Sequence, residues 1–204
     1  QGSGDYTLQI APRISMPNVS FNVTHEDEAK RAVFGDVNFR KAMSIAIDRN
    51  EINETAYFGQ GVARQYIGFS PVPSFVDPMW ATYAAEYDPE GAKALLDGAG
   101  VVDVDGDGMR DLPGGAKLII NMQFAQQGLP GQVVELISQQ WAEVGIQTTV
   151  KEVTPDEYRS AQSSNQLDVG LWEKSQPLAI VLGNNELWVP PFENYFAHRS
   201  GMLW

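Results

Sequence analysis

Strand-like and helix-like patterns alternate over residues 118–172, and this alternation constrains the fold more than any other feature of the sequence. Apolar runs and alternations predict three strands, at Leu118–Phe124, Ile146–Val150 and Leu167–Trp172. Apolar residues at helical spacing predict a helix at Pro130–Val144, and a capping-box pattern predicts a shorter one at Thr154–Ser164. This order is typical of an α/β fold in which helices flank a mainly parallel, twisted sheet with right-handed crossovers.

The first half of the chain has weaker patterns. Strands are predicted at Tyr6–Ile10 and Val19–Val23, followed by a charged turn at His25–Lys30. An amphipathic helix is predicted from Asn38 onward, and another runs from an N-cap at Asp88 to a terminating Gly100. The segment Tyr57–Ala85 is rich in glycine, proline and aromatic residues, which predicts an ordered loop or a set of short turns.

Composition narrows the classes of function. The chain has 204 residues, of which 43% are hydrophobic and 20% are charged, and this composition is typical of a globular domain. Its formal net charge of -12 repels phosphate backbones and anionic lipids, which argues against nucleic-acid and membrane-surface binding. No apolar run approaches the roughly 18 to 20 residues that a membrane span needs.

Residues suited to catalysis are sparse. Cysteine is absent, which excludes disulfides, a thiol nucleophile and cysteine-ligated zinc. The two histidines, His25 and His198, are far apart and lack a metal-binding spacing. The segment Gly68–Val72 lacks the second glycine of a nucleophile elbow. A hydrolase with two facing carboxylates stays open as an alternative, because such enzymes need only a pair of acids in a cleft.

The segment Asp103–Asp111 matches the first half of an EF-hand calcium loop. Its candidate oxygen ligands are Asp103, Asp105, Asp107, Asp111 and the carbonyl of Met109. Gly114 stands where the loop normally has a bidentate glutamate, so calcium would bind weakly or through water. The two interpretations are an optional calcium site and a polar turn whose aspartates bond their own backbone.

Polar and aromatic residues follow the predicted strands, at the edge where ligands bind to parallel sheets. Aromatic rings there can stack on sugar or peptide groups, while amides and charges orient the ligand. Trp188 belongs to a proline-containing segment beyond the last predicted strand. The predicted ligand-binding residues are Gln126, Gln127, Trp172, Glu173, Lys174 and Trp188.

Five segments occur in the order and spacing of one known family. They are DVNFRKAMSIAIDRNEI at Asp36–Ile52, GVA at Gly61–Ala63, YDPEGAKALLDGAG at Tyr87–Gly100, DVDGDGMRD at Asp103–Asp111 and WAEVGIQT at Trp141–Thr148. Through these segments the chain resembles the extracytoplasmic solute-binding proteins of ABC transporters, in family 5, which includes dipeptide- and oligopeptide-binding proteins. The resemblance covers nearly all of the chain from about Tyr6.

The resemblance implies a lobe of the type II periplasmic-binding-protein fold, formed by residues 5–204, with the other lobe elsewhere in a longer parent chain. Residues 1–4 are interpreted as a remnant of cloning. The parent would capture a peptide or similar small solute between two lobes and deliver it to the membrane permease of an ABC transporter. It would be a binder without a required cofactor and not an enzyme, located in the periplasm or elsewhere outside the cytoplasm, with lipid anchoring as one option.

The resemblance also bears on the ligand. In peptide-binding members, the tryptophan that matches Trp172 is followed two residues later by an aspartate that pairs with the amino terminus of the peptide. Lys174 occupies that position here, which leaves Glu173 as the substitute. A glutamate and a lysine beside Gln126 and Gln127 suit a zwitterion and a polyhydroxylated sugar equally well. The open alternatives are a sugar-binding member of the family and a calcium-stabilised extracellular interaction module.

Overall fold

One strand and three short helices form the first part of the structure. The computed structural model describes residues 17–67 and 72–173. The strand β1 spans Pro17–Phe21, and the helices α1, α2 and α3 span Glu28–Gly35, Val37–Ile45 and Arg49–Tyr57. The strand predicted at Tyr6–Ile10 lies outside the described residues.

Each of these helices begins at an aspartate whose carboxylate accepts two backbone N–H groups of the first turn. The three N-caps are Asp27, Asp36 and Asp48. The helix predicted from Asn38 is confirmed and begins one residue earlier, at Val37. The turn predicted at His25–Lys30 is wrong in its second half, because the carboxylate of Asp27 opens α1 at Glu28.

The described part of the segment between α3 and the next helix is mostly irregular, as the sequence predicts for Tyr57–Ala85. It contains one short 3₁₀ helix, Pro78–Ala81. Helix α4 then spans Pro89–Gly98, with Asp88 as its N-cap. Gly100 follows the helix with a φ of +73°, a left-handed conformation that glycine adopts without steric cost.

The second half of the chain contains a parallel strand pair connected by a helix. Strand β2 spans Ile119–Phe124, helix α5 spans Gly131–Glu143, and strand β3 spans Gln147–Glu152. The pairing is parallel, with Ile119 opposite Gln147 and Phe124 opposite Glu152. This crossover confirms the arrangement that the alternation of patterns predicts.

Helix α6, Pro155–Ser163, leads from β3 to the strand β4, Val169–Glu173. The described partner of β4 is β1, and the two strands are antiparallel, with Phe21 opposite Val169. The described strands thus form one parallel pair and one antiparallel pair, whereas the sequence alone suggests a third parallel strand. The difference arises because β1, which comes before all of these elements in the chain, pairs with β4. Among the described helices, α5 is the longest with 13 residues, and none has the length and apolarity to cross a bilayer.

Trp141 of α5 lies at the centre of the core and is fully buried. Its indole Nε1 donates a hydrogen bond to the carbonyl of Met43 in α2, at 3.0 Å. Its ring stacks on Phe21 of β1, with centroids 5.8 Å apart. Burying a large apolar side chain stabilises a fold by about 1.5 to 3 kcal/mol, so this residue ties α5 firmly to α2 and β1.

A charged cluster lies in the interior beside β4. Asp168, 3% exposed, accepts hydrogen bonds from Lys30 Nζ at 2.8 Å and from the backbone N–H of Asn121 at 2.7 Å. His25 Nε2 lies 2.9 Å from the other carboxylate oxygen, while its Nδ1 accepts the backbone N–H of Asp27. His25 thus has a structural role, because both of its ring nitrogens make hydrogen bonds within the fold. The cluster as a whole fixes α1 and β2 against the start of β4.

Candidate ligand-binding site

A tight turn follows β2 at the edge where the sequence predicts a ligand site. The backbone N–H groups of Gly128 and Leu129 both donate to the carbonyl of Ala125, at 2.7 and 3.1 Å. Ala125 and Leu129 are fully buried and anchor the turn from both ends. Gln126 and Gln127 lie between these anchors and are exposed. The turn therefore presents two amide side chains to solvent.

Trp172 brings an aromatic ring to this turn from the end of β4. Its backbone pairs with Asn18 of β1, and its side chain is half-buried. The indole packs on the ring of Tyr158, with centroids 5.2 Å apart and an angle of 35° between the planes. It also contacts Gly128 so closely that a Cβ atom at that position would lie 2.6 Å from Trp172 Cδ2. The turn after β2 and the end of β4 thus lie side by side, as predicted, although β2 and β4 belong to different strand pairs.

Tyr158 supports Trp172 from helix α6 and is fully buried. Its hydroxyl oxygen accepts the backbone N–H of Leu171 at 2.8 Å, which links the helix directly to β4. Burial disfavours the phenolate and raises the pKa of Tyr158 to about 12. The predicted capping box starts this helix, since Thr154 and Glu157 exchange side-chain and backbone hydrogen bonds. The capping box, a signal contained in four residues of sequence, therefore positions the Tyr158 ring on which Trp172 packs.

The rim of the site also includes an amide and a carboxylate from different strands. Gln126 Nε2 donates to Glu152 Oε2 at 3.1 Å, and both side chains are exposed. Glu152 ends β3 directly opposite Phe124, the last residue of β2. Sequence reasoning missed Glu152 and Tyr158. The parallel register is the signal that could have located Glu152, because it puts the ends of neighbouring strands side by side.

Three of the six predicted ligand-binding residues are described with their side chains. Trp172 contacts Gly128 in the turn that also carries the exposed Gln126 and Gln127. Glu173 is the last residue of β4 and pairs with Pro17 through its backbone. Lys174 and Trp188 lie outside the described residues.

The acidic loop Asp103–Asp111 adopts a compact turn stabilised by its own carboxylates. The carboxylate of Asp103 accepts the backbone N–H groups of Gly106 and Gly108, at 2.7 and 2.9 Å. The carboxylate of Asp107 accepts the N–H of Met109 at 2.8 Å. Single carboxylate oxygens of three residues lie within 4.8 Å of one another and could hold a metal ion; these residues are Asp103, Asp105 and Asp111.

Lys117 places its ammonium group among these carboxylates. Its Nζ lies 2.7 Å from Asp105, 2.6 Å from Asp107 and 3.6 Å from Asp111. The hydrogen bonds to Asp105 and Asp107 raise the pKa of Lys117, and the same bond to Lys117 lowers the pKa of Asp107. Asp111 is 1% exposed, and its Oδ1 makes no hydrogen bond. Lys117 therefore supplies positive charge beside the carboxylates of Asp105 and Asp107.

A second concave region, about 670 Å³ in volume, lies between β1, α2, α3 and α5. Most of its lining is apolar. Two of its three arginines, Arg40 and Arg49, bind backbone carbonyl groups of the fold, and the third is Arg64. Arg40 donates to the carbonyl of Phe34 at 2.7 Å, and Arg49 donates to that of Ser44 at 2.9 Å. The edge at Trp172 is the better candidate for solute binding, because its polar groups face solvent and come from the ends of several strands.

The chain matches the model of a known protein family. Residues 1–178 match the model of bacterial extracellular solute-binding proteins, family 5 Middle. The periplasmic alpha-galactoside-binding protein of Rhizobium meliloti strain 1021 is 34% identical over 116 residues, which cover 53% of this chain and 17% of that protein. The family match thus extends over most of the chain.

Solved structures share the fold. The oligopeptide-binding protein OppA is 31% identical with a TM-score of 0.81, over 89% of this chain and 28% of that one. AppA from Bacillus subtilis, solved with a nonapeptide, is 25% identical with a TM-score of 0.63, over 78% of this chain and 30% of that one. The chain thus spans less than a third of the length of the relatives named here. The type II periplasmic-binding-protein architecture expected from the sequence is confirmed.

Proposed function

Because the chain belongs to the bacterial extracellular solute-binding proteins of family 5, we propose that it forms one lobe of a longer solute-binding protein. Residues 5–204 form one wall of a cleft, and a second lobe of the same protein forms the other. The full protein captures a peptide or similar small solute and delivers it to the permease of an ABC transporter. It works in the periplasm or on the outer side of the membrane, free or lipid-anchored, and it binds no nucleic acid.

The arrangement of Trp172 at the strand edge is the observation that carries this proposal. Its indole is half-buried, packed on Tyr158, and in contact with Gly128 in the turn that carries the exposed amides of Gln126 and Gln127. An apolar face with a few convergent polar groups is the usual composition of a small-molecule site. In an α/β sheet, such a site is expected outside the carboxyl ends of the strands, which is where these residues lie.

A peptide is the first candidate for the solute. The similar structures include an oligopeptide-binding protein and a protein solved with a nonapeptide. The exposed pair Gln126 and Glu152 offers an amide and a carboxylate that can bind backbone amides or an amino terminus. We also include Glu173, Lys174 and Trp188 in the proposed site, on the strength of their positions in the sequence.

A sugar is the second candidate, and the alpha-galactoside-binding relative favours it. Sugars present an apolar ring face that stacks on aromatic side chains, with hydroxyl groups around the rim. Trp172 with Gln126, Gln127 and Glu152 supplies one aromatic face and several groups that bind hydroxyls. Both candidates use the same edge of the sheet and differ in which polar groups engage the ligand.

The family relatives are binding proteins, and we propose that this protein is likewise a binder without catalytic activity. We further propose that it needs no cofactor, because the ammonium group of Lys117 balances the acidic loop. Calcium is then an optional ligand of Asp103, Asp105 and Asp111, and it competes with Lys117 for Asp105 and Asp111. In the alternative, a calcium-stabilised interaction module, removing calcium would unfold the chain.

A ligand-induced thermal-shift screen of the full-length gene product tests the proposal. The probes are a pool of short peptides and a set of α-galactosides that includes raffinose. A ligand at a hundred times its Kd stabilises the folded state by about 2.7 kcal/mol, so binding raises Tm by an easily measured amount. We expect one probe class to raise Tm of the full-length protein and neither to do so for the 204-residue chain. A large shift with the 204-residue chain alone would contradict the two-lobe proposal.

A further inference from the structure

Gly128, in the turn after β2, lies against the indole of Trp172 and has no side chain of its own. We propose that Gly128 is a positioning residue of the ligand site: its missing side chain leaves the space in which the Trp172 ring lies, and this sets the affinity for the solute. The inference rests on the proposed function, because it assigns Trp172 to the ligand.

The indole of Trp172 fills the space next to Gly128: the three heavy atoms nearest to a Cβ built at this position all belong to it. A Cβ atom at position 128 would meet Cε3, Cζ3 and Cδ2 of the indole, with Cδ2 at 2.6 Å. The φ angle of Gly128 lies outside the left-handed region, so its backbone conformation is open to alanine. The conflict is therefore between one methyl group and one aromatic ring, and it does not involve backbone strain.

The indole cannot yield towards the interior, because that side is closed. Tyr158 is fully buried there, and its hydroxyl is held by the backbone N–H of Leu171. Ala125 and Leu167 complete a small cluster of buried side chains around Tyr158. A methyl group at position 128 must therefore push the Trp172 ring outwards, towards the space where the solute is proposed to bind.

A displaced ring has two consequences for binding. It enters the volume that a stacked ligand needs, and it loses the contacts that hold it in one orientation. A ligand then has to immobilise the side chain as it binds, which weakens affinity. We expect Gly128→Ala to lower the affinity of the full-length protein at least tenfold while the circular-dichroism spectrum stays unchanged.

The test is isothermal titration calorimetry on the full-length protein with tetra-alanine and with raffinose, which measures Kd for the wild type and four variants. The matched control is Gly98→Ala at the end of α4, where an added Cβ has nothing within 4 Å, and we expect wild-type affinity. The variants Trp172→Ala and Gly128→Ala with Trp172→Ala complete a double-mutant cycle. Trp172→Ala removes Cε3, Cζ3 and Cδ2, the three atoms that the methyl group would meet, so Gly128→Ala should cost little in that background.

A second readout does not depend on any ligand. In the 204-residue chain, Gly128→Ala should shift the indole N–H resonance of Trp172 and leave that of Trp141 in place. An unshifted Trp172 resonance, or equal Kd values for Gly128→Ala and the wild type, overturns the role of Gly128 and leaves the proposed function standing. If the wild type binds neither probe, the proposed function is contradicted for both solute classes and the inference falls with it.

Discussion

Lys30 Nζ lies 2.8 Å from Asp168 Oδ2, in an ion pair whose two side chains are 14% and 4% exposed. The pair joins helix α1 to the residue that precedes β4, and Lys30 also donates to the carbonyl of Ile119 in β2. Asn121 donates two further hydrogen bonds to the same Asp168 oxygen. Three elements distant in the sequence are thereby fixed by a single carboxylate.

Asp168→Asn should destabilise the chain by about 3 kcal/mol, because removing one partner of a buried ion pair leaves the other charge uncompensated. Urea unfolding measures this loss. Glu28→Gln is the control, since the Glu28–Arg31 pair is largely exposed and should contribute less than about 1 kcal/mol. Combining Asp168→Asn with Lys30→Met should cost less than the sum of the single changes. A loss of stability as small as that of Glu28→Gln would contradict the importance of the cluster.

Lys117→Met should make the chain respond to calcium. The ammonium group now lies beside Asp105 and Asp107, and its removal leaves adjacent carboxylates without a counter-charge. We expect calcium to raise Tm of this variant more than that of the wild type. Lys93→Met, which removes an exposed pair with Glu90, is the control and should respond as the wild type does. If millimolar calcium leaves the Tm of the Lys117→Met variant unchanged, a cation site in this loop is contradicted.

Tyr158 should contribute to alkaline unfolding. Its pKa is raised by burial to about 12 in the folded state, against about 10 in an unfolded chain. The folded state therefore retains this proton at higher pH, so the stabilisation is complete below pH 10 and is lost as the pH rises from about 10 to 12. In a pH titration followed by phenolate absorbance, the Tyr158→Phe variant should show one fewer tyrosine with a raised pKa than the wild type. Tyr66, whose pKa burial also raises to about 12, should still titrate late in that variant.

Asp36→Ala should destabilise the chain by about 1 kcal/mol through the loss of an N-cap. The Asp36 carboxylate accepts the N–H groups of Asn38 and Phe39 at the start of α2, at 2.7 and 3.0 Å. Asp36→Ser keeps an acceptor and should recover most of the lost stability in thermal unfolding. Equal losses for the alanine and serine variants would show that the effect does not come from the cap.

Local sequence signals predicted the helices and strands of the second half well. The capping box at Thr154 and the glycine after Val144 mark positions where a helix begins or ends for reasons contained in a few residues. The antiparallel pairing of β4 with β1 was not predictable in the same way. It joins Phe21 to Val169, and periodicity carries no information about partners so far apart in the sequence.

The sequence predicted where the candidate site lies, but it did not predict all of the residues that form it. The strand ends pointed to Gln126, Gln127 and Trp172, because parallel topology fixes the edge at which ligands bind. Tyr158 gave no signal, since a tyrosine on a short helix looks ordinary in sequence, and Gly128 gave none beyond its position after a predicted strand. Their importance comes from contact with the Trp172 ring, which only the tertiary structure reveals. Lys117 was missed for the same reason, as it lies outside the acidic motif.

Calorimetric titration of full-length Trp172→Ala with the solute class that stabilises the wild type tests the central claim most directly. We predict a Kd at least tenfold weaker than that of the wild type, because each tenfold change corresponds to about 1.4 kcal/mol and an aromatic stack contributes on that scale. Trp172→Phe, which keeps an aromatic face, should lie between the two. A Trp172→Ala variant that binds with wild-type affinity would contradict the assignment of this edge as the solute site.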